Sequence, residues 1–404
     1  MATPPEPRPL GRRFWMVWTA ATASNVGDGI VLAALPLLAA ELTRQPLGVA
    51  ATTIAVRLPW LLFGLFAGVI ADRTDRLRLM IGTDAGRAIA FGAIALFVAT
   101  GHLTLPGLYV AVFGIGVLET LFDTAAMSLT PSLVTPDQLE QANARINSAQ
   151  LVANDFVGPP IGAALFGIAA ALPLALDAFT FAVSVVLLLG VGGAYRPPSR
   201  RGHSVSGDIR DGFRFLLREP VIRALAFGAG AINLGYTAAV SVLVLHAQDD
   251  LGLDEVRFGL LLTTAAVGGV AGAQLAPRVI RRVGRWPSVL GAVAAIVAGI
   301  VVMGAANSFW MAGVGFAVVG FAGEIWNIVS VTYRQSATPD AMLGRVMSGF
   351  RVIAYGAFPV GAALGGIVAS TVGLRATFFV GAGIVGALLP LLAVTAKRHN
   401  LGAS

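Results

Sequence analysis

Seven ionisable side chains stand inside long apolar stretches of this chain: Asp28, Arg57, Glu119, Asp123, Asp155, Glu324 and Arg351. A charge at the centre of such a stretch costs about 2.5 kcal/mol or more if the surroundings are lipid, so each needs a counter-charge, a proton or a polar path. Acids and guanidiniums alone can pair, exchange protons and bind polar groups. The chain has no cysteine, hence no disulfide, thiol nucleophile or thiolate metal ligand. Its four histidines, His102, His203, His246 and His399, are dispersed through loops and tails, so no metal site is expected. No Gly-Lys-Ser/Thr sequence of the Walker type occurs, so neither direct ATP drive nor any cofactor is expected.

Spacing suggests which charges meet. Asp28 follows Phe14 by 14 residues and Arg57 precedes Asp72 by 15, which at 1.5 Å per residue places both about 21 to 22 Å from the same end of their helices. They are expected to pair, either as a static staple between two helices or as a carboxylate at which proton and cargo compete. Glu119 and Asp155 fall at about equal depth by the same rise, with Asp123 one turn from Glu119. Carboxylates so close cannot all ionise cheaply, so they are expected to share a proton and act as a relay, unless Asn154, Thr120 or Thr124 satisfies them passively. Glu324, with Asn327, approximates the place of Glu119 and Asp123 in the second half, and Arg351 is within reach as its ion-pair partner or as a cargo contact. Asp84, Arg87 and Asp177 fall close to stretch ends and read as interfacial structure.

Composition identifies the elements that hold these charges. At 56% hydrophobic and 12% charged residues, with 49 glycines in 404 residues, the chain suits lipid as its solvent. A spanning helix needs about 20 apolar residues, and twelve such stretches occur, at 14–40, 48–71, 79–100, 107–130, 143–169, 174–195, 220–245, 255–280, 287–306, 309–333, 345–370 and 375–396. The second six repeat the first. Thr135-Pro136-Asp137 recurs as Thr338-Pro339-Asp340 at offset 203, Pro160-Ile161-Gly162-Ala163-Ala164-Leu165 as Pro359-Val360-Gly361-Ala362-Ala363-Leu364 at 199, and Gly68 matches Gly272 at 204. The organisation is a six-helix bundle over 1–195, a cytoplasmic linker over 196–219 and a second bundle over 220–404. Parallel repeats with a binding site between them imply alternating access by rocking.

The net charge of +7 does not point to nucleic acid, because the basic residues lie in short loops on alternating sides. With both termini cytoplasmic, three of the 28 basic residues fall outside (Arg44, Arg257, Arg375) and three within spans (Arg57, Arg87, Arg351), leaving 22 inside. Arg12 and Arg13 precede the first stretch, and no small-residue cleavage site closes a short apolar core, so this helix is expected to be retained rather than removed as a signal peptide.

Between the second and third stretches, Gly68-Val69-Ile70-Ala71-Asp72-Arg73-Thr74-Asp75-Arg76-Leu77-Arg78 resembles the loop motif of the major facilitator superfamily. The resemblance implies that Gly68, Asp72, Arg73 and Arg76 form a latch that holds the halves outward-facing. Asp72 stands at a helix C-terminus, where the dipole disfavours a carboxylate, so it needs nearby cations or another helix N-terminus. The second-half loop from Gly272 to Arg278 keeps the later Arg281 and Arg282 but has no acid. In the fifth stretch, Gly158-Pro159-Pro160-Ile161-Gly162 is similar to the motif of the superfamily's exporter branches, and physically describes a kinked, closely packed helix. Leu79-Met80 with Asp84 and Arg87, Ala142-Asn143, and Asp208-Ile209-Arg210-Asp211-Gly212-Phe213-Arg214-Phe215-Leu216 resemble the branch that includes macrolide efflux proteins and enterobactin exporters. In that linker, Ile209, Phe213 and Leu216 at i, i+4 and i+7 make an amphipathic helix face.

The resemblance implies that helices 1, 4, 7 and 10 line a central cavity, which would place Asp28, Glu119, Asp123 and Glu324 on it. Phe113, Phe122, Tyr236, Trp326 and Phe350 are candidates for its apolar wall. The expected fold is an all-α polytopic membrane protein with two pseudo-symmetric six-helix bundles. The expected protein is no enzyme but a monomeric carrier in the bacterial inner membrane, a drug and proton antiporter for efflux. Its partners would be membrane lipid, protons and an amphipathic small molecule, cationic or neutral because acids outnumber arginines in the spans. Alternatives are a siderophore exporter, whose anionic cargo would seek Arg57 and Arg351, and a lipid-handling or non-transporting protein of the same fold.

Overall fold

Lipid offers no hydrogen bonds to a bare backbone, so each spanning segment must satisfy its own N–H and C=O groups, and a helix does this internally. The computed structural model describes residues 10–196 and 205–398, and its regular structure is helical throughout those residues. Twelve helices among them are long and apolar enough to cross a membrane. We number them as spans 1 to 6, Arg12–Leu42, Pro46–Gly64, Arg76–Ala99, Leu105–Ser132, Pro136–Ile168 and Ala171–Val191, and spans 7 to 12, Pro220–Asp250, Glu255–Val283, Arg285–Gly304, Phe309–Ala337, Met342–Thr371 and Leu374–Arg398. The helix of span 2 continues to Arg73. Side-chain oxygens of Thr104, Asp254 and Ser308 accept the first free N–H groups of spans 4, 8 and 10.

Contacts divide the chain into two compact units, one of Met1–Leu35 with Leu62–Ser199 and the other of Pro36–Leu61 with Arg200–Ser404. Spans 1 and 2 are thus each shared between units. Within the second unit, most of span 2 lies on span 11: Leu47 and Ala50 sit against Gly366, and Leu61 against Gly356. The linker helix, Val205–Arg218, also rests on span 11. There the backbone at Gly212 meets Arg345, Phe213 covers Gly349, and Leu216 is buried. The side chain of Ile209 lies outside the described residues.

Span 5 shows how its motif shapes the helix. Pro159 and Pro160 carry no N–H, so the carbonyls one turn earlier lose their donors. A π segment, Val152–Val157, absorbs the mismatch, with the Gly158 N–H reaching back five residues to the Ala153 carbonyl. Gly158 and Gly162 then leave room for the backbone of span 1 at Gly29 and Ile30, where any Cβ would collide. The repeat reproduces the contact: Gly361 and Gly365 of span 11 face the backbone of span 7 at Leu234 and Ala238.

Candidate functional site

Arg87 is the centre of the first unit's charge. It lies midway along span 3, with a side chain only 1% exposed. Its guanidinium donates to the Asp28 carboxylate from span 1, lies 3.8 Å from Asp84 one turn away on its own helix, and covers the face of Phe181 at 4.0 Å. The hydroxyl of Ser184, on span 6, donates to Asp84 at 2.5 Å. On span 6 too, the Thr180 hydroxyl donates to the Asp177 backbone carbonyl at 2.8 Å and lies 3.3 Å from one oxygen of the Asp177 carboxylate, while the second oxygen of Asp177 and one oxygen of Asp84 have no hydrogen-bond partner. Glu119 and Asp123 of span 4 lie within electrostatic reach of the same guanidinium. Phe91 stacks on Phe181 at 5.8 Å and closes the cluster on its apolar side.

This arrangement corrects two expectations. Asp28, expected to pair with Arg57, pairs with Arg87 inside its own unit. Equal depth on neighbouring helices is necessary for a contact, but the direction in which each side chain leaves its helix decides it. Arg57 is exposed, belongs to the second unit and lies 5.4 Å over the Phe358 ring. Asp84, Arg87 and Asp177, expected at an interface, are instead buried to within 1%. Span 3 begins at Arg76, three residues before its apolar run, which sets Arg87 about 4.5 Å deeper. The spacing of Asp84 and Arg87 at i and i+3 was the available signal.

Passive satisfaction of the acids by Thr120 and Thr124 is also excluded, because each has one O–H and gives it to a backbone carbonyl, at 2.7 and 2.8 Å. Asp155 stands half-buried in the π segment of span 5.

In the second unit, Glu324 is half-buried, one turn from Asn327 on the same helix. No ion pair joins it to Arg351 among the described residues, and Arg351 is exposed. Sequence reasoning missed Arg334, which is 5% exposed, donates to the Ser330 carbonyl at 3.1 Å and lies 3.5 Å over Phe350. It missed His246 too. That residue is not in a loop but buried at the end of span 7, its Nδ1 2.7 Å from Asp250 and its ring 4.8 Å from Phe378. No group of three or more potential ligands that could hold a metal ion occurs among the described residues. Of the aromatic candidates, Phe122 is core packing, Trp326 is buried against Gly228, and Phe113 meets Phe63 edge-on at 6.2 Å.

In the loop motif, Asp72 is 73% exposed and lies 3.9 Å from Arg76, whose guanidinium donates to the Ser128 carbonyl at 2.7 Å. A Cβ on Gly68 would meet open space. The buried acid of the motif is Asp75, which caps span 3 at the Arg78 N–H and accepts the Tyr195 N–H at 2.8 Å. Asp75→Ala should therefore lower stability by about 1 to 2 kcal/mol, read as a lower melting temperature of the purified protein. Asp72→Asn should leave melting unchanged. Equal melting for both variants would contradict this division of roles.

Twelve helices among the described residues are long and apolar enough to cross a membrane, and the family match makes the chain a transporter of the major facilitator type. The chain belongs to the family described as transmembrane secretion effectors, whose model matches residues 8–401. Among similar proteins are the enterobactin exporters EntS of Escherichia coli O1:K1 and of Escherichia coli strain UTI89, each 28% identical over 399 residues, or 96% of this chain and 93% of theirs. Among solved structures, a bacterial homologue of the iron transporter ferroportin in an inward-facing state superposes with a TM-score of 0.76 at 19% identity, covering 97% of this chain and 100% of that one. A bacterial metal transporter gives 0.71 at 18% identity over the same shares. At these identities the structural likeness speaks for the fold alone.

Proposed function

We propose that the chain exports an amphipathic small molecule across the bacterial inner membrane in exchange for protons, by alternating access and with both termini cytoplasmic. The observation that carries this reading is the imbalance around Arg87, where Asp28 and Asp84 lie against one guanidinium and Glu119, Asp123 and Asp177 are within its electrostatic reach. Five carboxylates cannot all be ionised beside a single cation in a low dielectric, so protons reside among them, and such protons can be exchanged. Asp28 is the acid that ties span 1 to span 3 and keeps 28% of its side chain exposed. Protonating it removes the charge that holds that tie and leaves Asp84 as the partner of Arg87, which links proton uptake to the grip between two helices.

The excess of acids belongs to this proton chemistry and does not by itself select a cationic cargo. A siderophore as cargo is the second reading, supported by the similarity to the enterobactin exporters and by Arg57 and Arg351. The exposed Asp72 with Arg73 and Arg76 suits a latch that engages in only one state.

Glu119→Gln keeps shape and hydrogen bonding while deleting titration. In liposomes with an imposed pH gradient, it should slow uphill export by about a hundredfold or more, within the range of lost proton transfer, and leave cargo binding at high pH intact. Uphill transport at the normal rate would remove Glu119 from the coupling.

A further inference from the structure

Two of the second unit's arginines stand where lipid would not tolerate them. Arg57 lies 11 residues into the helix of span 2 and Arg351 nine residues into span 11, depths of about 16 and 14 Å. Both side chains are exposed, and no carboxylate pairs with either among the described residues. At that depth a guanidinium stem is too short to reach the interface, so the face that carries them must border water rather than hydrocarbon. Arg334 adds a third cation within electrostatic reach of Arg351 and Tyr355.

Aromatic rings share this face. Arg351, Tyr355 and Phe358 follow at i, i+4 and i+7 on span 11 and form one stripe. Tyr355 and Phe358 stack at 5.8 Å with their planes 29° apart, and Trp60 meets Tyr355 edge-on at 6.5 Å. Arg57 rests over the outer end of the stripe, on Phe358. Tyr355 is 41% exposed and lies along the stripe between Arg351 and the Phe358 ring that carries Arg57. Unpaired guanidiniums call for an anion, preferably one with a planar oxyanion they can grip in two places. Exposed rings between them call for a flat apolar body.

We propose that the Arg57, Trp60, Arg351, Tyr355 and Phe358 face is a binding site for a planar aromatic carboxylate. The inference rests on the transporter reading and names the cargo class of that carrier. Acids and arginines thereby divide their work: the Arg87 cluster of the first unit exchanges protons, and the second unit holds the anion.

The test is equilibrium binding to the purified full chain in lipid nanodiscs, by titration calorimetry, with empty nanodiscs as reference. The probes are 2-naphthoate, the neutral 2-naphthamide and the cationic naphthylmethyl trimethylammonium. Naphthoate should bind at least about tenfold more tightly than either of the others, as loss of a charge-assisted hydrogen bond implies. Arg57→Gln and Arg351→Gln should each remove about that factor for naphthoate and leave naphthamide unchanged. Equal or tighter binding of the amide or the ammonium overturns the proposal, as does undiminished naphthoate binding in both variants. The wild-type probe series decides even if a variant fails to fold. Tight naphthoate binding without export on a pH gradient would defeat the proton coupling and leave this site standing.

Discussion

Arg87→Gln should leave little folded protein in the membrane. The substitution removes the one cation from a cluster in which Asp84 and Asp177 are fully buried and two of their oxygens already lack hydrogen-bond partners. Breaking a buried ion pair by deleting one partner costs about 3 to 5 kcal/mol, because the other charge stays behind, and this deletion strands more than one acid. Fluorescence-detected size exclusion and melting of the purified protein would read the loss. Arg87→Lys should recover only part of it, since a point charge cannot both bridge Asp28 with Asp84 and lie flat on Phe181. Arg87→Gln combined with Asp28→Asn should recover more, because the acid facing the lost cation is then neutral. By contrast, Arg57→Gln should cost almost no stability. A stable, monodisperse Arg87→Gln protein would show that the cluster is held by something other than this guanidinium.

Gly162→Val should be nearly as damaging, for a steric reason. A Cβ at Gly162 would run into the carbonyl and Cα of Ile30, and one at Gly158 into the backbone of Gly29. Backbone cannot swing aside as the end of a side chain can, so spans 1 and 5 would have to separate. Even Gly162→Ala should cost about 1 to 3 kcal/mol, the usual range for overpacking. Gly361→Ala in the matching contact with Leu234 should behave alike. Gly114→Ala, which meets nothing within 4 Å, is the control and should melt as the parent does. If Gly162→Ala and Gly114→Ala melt together, the close approach of spans 1 and 5 is not a source of stability.

These expectations differ in how far they could be read from the chain alone. The need for a glycine at 162 was legible, because Gly-Pro-Pro-Ile-Gly within an apolar run announces both a kink and a close neighbour. Its partner was not, since nothing in the sequence of span 5 names Gly29 and Ile30. Likewise Asp28, Glu119 and Asp123 announced themselves one by one, while Asp84, Asp177 and the cation that gathers them were set aside as interfacial. An apolar count starts span 3 at residue 79 and misses the polar first turn from Arg76. Arg334 was hidden for a similar reason: it sits among polar residues at the end of span 10, yet the ring of Phe350, from another helix, buries it.

The sequence by itself determined the solvent, the number of spans, their repetition in two halves and the membership of the superfamily. Each of these depends on runs of like residues or on local motifs, and lipid enforces them because an unsatisfied backbone or a short span has no remedy there. Tertiary structure alone decided which charges share a cluster, that Asp28 answers to Arg87 while Arg57 lies over Phe358, and that most of span 2 packs with the second unit. Depth can be counted along one helix at a fixed rise, but the direction of a side chain around its helix acquires meaning only when neighbouring helices are in place.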